Sequence, residues 1–238
     1  MRTRIHAIGI LAVIALSTVA FAAVDGFSVA RKAKKDEVHK YSMKADVDYS
    51  GVPVVVNATI SEKVTDVAAD GAYTLEQMQV DGKVTINGST SDMPGGPPTS
   101  MIYKANGEVS KILGDKAQAT GGAYRMANLG LLVDPGKALA VGDAWTFDVK
   151  ADKTLGTVAA KADFKLLGEE KIGTHDTLKV KATVKETEGD APATSDGTMW
   201  IDKADGSMIK TEVKWTNAPF PGSPAPLNAT VKIERVDK

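Results

Sequence analysis

Ser207-Met208-Ile209-Lys210 has the S-x-x-K spacing that, on a helix, sets a serine nucleophile beside a lysine base. Here the four residues directly follow Asp205-Gly206, a hairpin signal, so they belong to a strand, where Ser207 and Lys210 point to opposite faces. No G-x-S-x-G elbow offers another nucleophile. Asp46-x-Asp48-x-Ser50-Gly51 imitates the start of a calcium loop, but its twelfth position is Asn57 instead of a bidentate Glu, and alternating segments flank it. A hairpin turn explains it better. Beyond the N-terminal segment the histidines are His39 and His175, Cys is absent, and no H-x-x-x-H spacing occurs, so no metal site is expected. His39 shares strand parity with Tyr41 and reads as a partly buried side chain, while His175 falls in a turn. The paired carboxylates Glu169-Glu170 and Asp46/Asp48 sit on wet strand faces, and Gly95-Gly96 and Gly121-Gly122 do not form a phosphate-cradling loop. The chain therefore reads as a protein with no catalytic residues and no cofactor.

The elements that would position any site are mostly strands. Tyr41, Met43, Ala45, Val47 and Tyr49 alternate with polar residues, and Val52, Val54, Val56, Ala58 and Ile60 repeat the pattern after Ser50-Gly51. Asp81-Gly82, Asn106-Gly107 and Asp205-Gly206 read as hairpin turns, because these pairs supply the positive φ that tight turns require. Further alternating sets run through Trp145 to Val149, Val158 to Leu166, Leu178 to Val184, Met208 to Trp215 and Ala229 to Ile233. One stretch breaks the rule. Ala123 to Val133 is too apolar for an exposed strand and stops at Asp134-Pro135-Gly136, which predicts a short helix packed on the sheet. The Pro-rich stretches Asp92 to Pro98 and Ala218 to Pro226 read as stiff loops. Asn57, Asn87 and Asn228 open N-x-[ST] matches, read here as incidental.

Arg2 and Arg4, the apolar run Ile8 to Val19, and Ala20-Phe21-Ala22 have the layout of a secretory signal peptide over 1–22. The run is too short for a spanning helix, so no transmembrane segment is expected after cleavage and the mature chain is placed in the periplasm or outside the cell. Residues 23–36, with Arg31, Lys32, Lys34 and Lys35, read as a flexible basic arm, and 37–238 as a single antiparallel β domain. An exported chain of this length without Cys must hold together by core packing alone. With 29 Lys and Arg interspersed among 30 Asp and Glu, it has no electrostatic footprint for nucleic acid.

Gly142-Asp143-Ala144-Trp145, then Gly173-Thr174 followed by Lys179-Val180, then Trp200-Ile201-Asp202 with Gly206 come in an order that resembles bacterial exported proteins with a lipoprotein-carrier-like (LolA-like) half-barrel. The resemblance covers about 142–215, and its motifs are turn and packing residues. It implies a curved antiparallel sheet whose concavity, capped by a helix, holds acyl chains. Since nearly every strand has one apolar face, all must share one interior; a curved sheet with one short covering helix satisfies this, and so does a two-sheet β-sandwich. The expected function is non-enzymatic binding of a lipid, a lipidated protein or another apolar ligand. The alternative is a structural or protein-interaction module of the cell envelope, with an envelope protein as partner and no small-molecule ligand. From parity and loop position, a ligand pocket would be formed by Tyr41, Met43, Phe164, Leu166, Leu129 and Leu132, with Met93 and Phe220 on loops at its mouth.

Overall fold

The computed structural model describes residues 26–114, 119–220 and 223–236; the leader read at 1–22 lies outside them. Period-two alternation yields the strands β1 (Val38–Tyr49), β2 (Val52–Val67), β3 (Tyr73–Ile86), β4 (Ser89–Asp92), β5 (Thr99–Tyr103) and β6 (Val109–Leu113). After the helix α1 (Gly121–Leu129) come β7 (Ala144–Val149), β8 (Ala160–Ile172), β9 (His175–Glu186), β10 (Thr194–Asp202), β11 (Met208–Ala218) and β12 (Leu227–Arg235). All strand pairs are antiparallel and form one open, curved sheet in the order β6-β5-β3-β2-β1-β12-β11-β10-β9-β8-β7, with β4 paired to the far end of β3. The two-sheet sandwich is thereby replaced by a single layer that curls around its own contents.

Chain order explains what covers the concave face. The chain starts at the centre with β1, works outward to the edge strand β6, and returns inward from the opposite edge β7 to β12. The connection from β6 to β7 must therefore span the sheet, and it carries α1 and residues 130–143 across the concavity. Leu129, Leu131, Val133 and Leu139 of this strap are buried against Ala160, Ala162, Phe164, Leu166, Val180, Ala182 and Val184 of β8 and β9. Each such fully buried aliphatic side chain contributes ~1.5–3 kcal/mol. The alanines on β8 and β9 serve to let the strap approach the sheet. Trp145 fixes its far end, its indole N–H donating to the Val133 carbonyl at 2.7 Å.

Three sequence expectations change. The helix ends at Leu129, capped by Gly130, and residues 131–133 are not helical, because burial of Leu131 and Val133 against the sheet outweighs local helix preference. Asp81-Gly82 makes no turn: β3 passes through it to pair along the long β2, slipping register between Gln79 and Asp81, and reverses at Asn87-Gly88. Residues 26–36, read as a flexible arm, are packed. Phe27 and Leu139 exchange backbone hydrogen bonds at 2.8 Å, Val29 is buried, and the Lys32 N–H donates to the Asp205 carbonyl at 2.7 Å.

Candidate functional site

The strap fills the β7–β10 side of the concavity more closely than the β1–β5 side. Between α1 and β1, β2, β3, β5, β10 and β11 lies a cavity of about 350 Å³, within the size range of small-ligand pockets. Its roof is Met126, Ala127 and Leu129 to Leu132, and its apolar floor includes Met199, Val213, Trp215 and Ile233. The roof is fastened on both sides. Tyr124 Oη accepts a hydrogen bond from the Ile112 N–H of β6 at 2.9 Å, and Arg125 forms a forked pair with Glu186 of β9 at 2.6 and 2.7 Å. Glu186 is buried and also accepts from the Ala193 N–H at 2.6 Å. Trp215 Nε1 is the one buried side-chain polar atom among the described residues without a hydrogen-bond partner, on a ring that lines the cavity.

The other end of the cavity is polar. Glu62 stands on the inward parity of β2, in series with Ala58, Ile60 and Val64, and lines the cavity beside Gln77, Tyr41, Tyr73 and Tyr103. Gln77 Nε2 donates to Glu62 Oε1 at 2.5 Å. The Tyr41 hydroxyl, which donates to the Met208 carbonyl at 3.2 Å, also interacts with this carboxyl. Burial pushes the Glu62 carboxyl above its ordinary range, and the Gln77 and Tyr41 contacts and the Arg31 and Arg235 charges only partly counter it. Tyr73 and Tyr103 stack with ring centroids 5.1 Å apart. Burial raises Tyr41, Tyr73 and Tyr103, so all three phenols stay protonated.

Beside this end the packed arm meets the sheet. Arg31 lines the cavity and donates to Glu37 at 2.6 Å, with Asp205 at 3.9 Å. His39 bonds Glu37 through Nε2 at 2.8 Å and meets Arg235 through Nδ1, an arrangement that suits a neutral ring with its proton on Nε2. Burial and then the Arg235 charge depress His39 accordingly. Burial works upward on Glu37, but its bonds to Arg31 and the Arg31 charge prevail and hold it below the usual carboxylate range.

Of the residues proposed from sequence, Tyr41, Leu129 and Leu132 line the cavity. Phe164 and Leu166 are packed solidly under the strap. Met43 packs with the central apolar cluster around Ala45 and Val231. Met93 borders a groove bounded mainly by the outward-facing Lys44, Asn57, Lys83 and Lys232, so its loop is not at the cavity mouth. Phe220 meets Trp215 edge to face at 5.7 Å, one ring removed from the cavity. Glu62, Gln77 and Thr211, which also line the cavity, were missed, although Glu62 and Thr211 each interrupt an otherwise apolar inward series and could have been found by asking which inward positions are polar. Among the described residues no group of three or more His, Asp or Glu is placed to hold a metal ion, and no helix is long and apolar enough to cross a membrane.

An open antiparallel sheet wrapped around a strapped helix, with a partly open amphipathic cavity between them, is the class these features define. No protein-family model and no curated protein matches the chain. Among solved structures it is similar to the hypothetical lipoprotein YmcC of Escherichia coli, at 12% identity and TM-score 0.32 over 84% of each chain. A protein provisionally described as exported, with a YmcC-like fold, from Bacteroides fragilis gives 10% identity and TM-score 0.31 over 90% of this chain and 100% of that one. A provisionally described lipoprotein from Parabacteroides distasonis gives 14% and 0.35, covering 89% and 100%. At these values the likeness carries no argument about function.

Proposed function

We propose that this chain is a non-enzymatic exported binding protein that holds an apolar ligand, a lipid or the acyl chain of a lipidated protein, in the cavity beneath α1. The observation that carries this reading is the cavity itself: about 350 Å³ between strap and sheet, roofed by apolar side chains and bordered by the Trp215 ring. A core built for stability alone would fill such a volume, because lining atoms without neighbours forfeit their dispersion contacts. Export, to the periplasm or beyond the cell, rests on the leader-like segment 1–22. The LolA-like resemblance supports the same reading, since it implies a helix-capped concavity for acyl chains.

The test is native mass spectrometry of protein purified from its own exported fraction, followed by solvent extraction. A retained apolar molecule that extraction removes is the expected result. A folded chain at the bare polypeptide mass would favour the envelope-interaction alternative, for which Met78 and Val80, exposed at 39% and 42% on β3, offer a surface.

A further inference from the structure

The polar end of the cavity is unbalanced in charge. Arg31 is matched by Glu37 and Asp205, whereas Arg235 leans on the neutral His39 ring and donates to Ser207 Oγ at 3.1 Å. Two guanidiniums thus face three carboxyls, Glu37, Asp205 and Glu62, and Glu62 is the carboxyl that lines the cavity. Its hydrogen-bonding neighbours there, the Gln77 amide and the Tyr41 hydroxyl, carry no charge, and Arg31 and Arg235 act on it only through their charge from further away. A carboxylate facing a low-dielectric cavity is costly unless a cation pairs with it directly, and here the two guanidiniums are engaged elsewhere. An anionic head would meet it with repulsion, and a neutral head would leave its charge unmatched. The stacked Tyr73 and Tyr103 rings, which line the same end, present π faces that also attract cations. Away from Glu62 the lining becomes aliphatic and aromatic, with Leu129, Leu132, Val213 and Trp215.

We propose that Glu62 is the head-group site of this cavity and that the ligand is a basic amphiphile, whose ammonium pairs with Glu62 and whose hydrocarbon chain lies under α1. The inference rests on the cavity-binding reading above and narrows it to one class of head group.

Dodecylamine, dodecanol and dodecanoate, each below its micelle concentration, separate the two. Their binding to the intact protein is followed by calorimetry and by intrinsic fluorescence, to which the cavity-lining Trp215 contributes beside Trp145 and Trp200. The amine is expected to bind about tenfold more tightly than the alcohol, the scale of one charge-assisted hydrogen bond, and the acid most weakly. Glu62→Gln, which keeps the side-chain shape and a partner for Gln77, is expected to erase the amine's advantage over the alcohol. Dodecanol binding without a preference for the amine, or an amine preference that survives in Glu62→Gln, overturns the head-group assignment alone. Failure of all three chains to bind overturns it together with the cavity reading. The comparison of heads on the unmodified protein needs no variant, so a poorly folding Glu62→Gln does not block the test.

Discussion

Glu62 is placed where a stability-driven sequence would carry Val or Ile, and its effect on folding has a definite sign. Its folded-state pKa is raised above the ordinary 4.5, so the stability linked to it is full below 4.5 and is lost as pH rises through the folded value. Glu62→Gln should therefore melt higher than wild type at about pH 8, with the difference closing towards about pH 4; thermal melts across that range check it. A variant less stable than wild type at high pH would contradict a carboxyl whose burial outweighs its compensation. His39 works in the opposite direction. Its folded pKa is depressed below 6.5, so its contribution is full above 6.5 and is lost as pH falls through the folded value. His39→Gln should flatten the fall in melting temperature on acidification below about pH 6.5, on top of the opposing Glu62 trend. At this scale the sequence was legible in parity alone. Tyr41, Leu129 and Leu132 were reached because they face inward, but parity cannot say which inward residues the strap covers. Phe164 and Leu166 face inward too, and the long-range packing of 130–139 buries them.

Two turns and one ion pair fix the elements that close the cavity. Gly107 and Gly206 both adopt positive φ, and a Cβ at either would fall 2.4 Å from the Leu132 carbonyl oxygen or 2.3 Å from that of Ala30. The same glycines that shape the β5–β6 and β10–β11 hairpins thus admit the strap and the packed arm. Gly206→Ala should cost ~1–3 kcal/mol and release the arm, seen as faster amide exchange at Lys32, whose N–H bonds the Asp205 carbonyl. Protection at Lys32 equal to wild type would show that the arm is held elsewhere. Arg125→Ala strands the buried Glu186 carboxylate and should cost ~3–5 kcal/mol in urea unfolding. A loss below about 1 kcal/mol, the scale of a surface pair, would mean that α1 does not depend on this anchor. Hairpins were legible where the turn pair matched the ladder, as at Ser50-Gly51. Asp81-Gly82 misled because β2 continues far enough to keep β3 paired through it, a non-local demand that outweighs a local turn preference.

On the scale of the whole molecule, the path of the chain produces the cavity. A meander that begins at the centre of its own sheet and re-enters at the opposite edge has to carry its β6–β7 connection across one face. The strap packs on the β8–β9 side, where Ala160, Ala162 and Ala182 lower the surface beneath it. On the β1–β5 side the larger Tyr41, Tyr73, Met101 and Tyr103 meet α1 around a gap. Alternation and the helix-like stretch at 123–133 were enough to suggest a curved sheet with one cover. They could not choose it over a sandwich, because both bury one face of every strand, and the choice lies in strand order. If the gap is the binding site, filling it must abolish binding without unfolding the chain. Titration of a fluorescent fatty alcohol into wild type and Ala127→Phe, with melting temperatures measured alongside, asks this directly. Saturable one-to-one binding by wild type, lost in a folded Ala127→Phe, is the expected result; equal binding by both proteins, or none by wild type, would contradict a ligand site beneath α1.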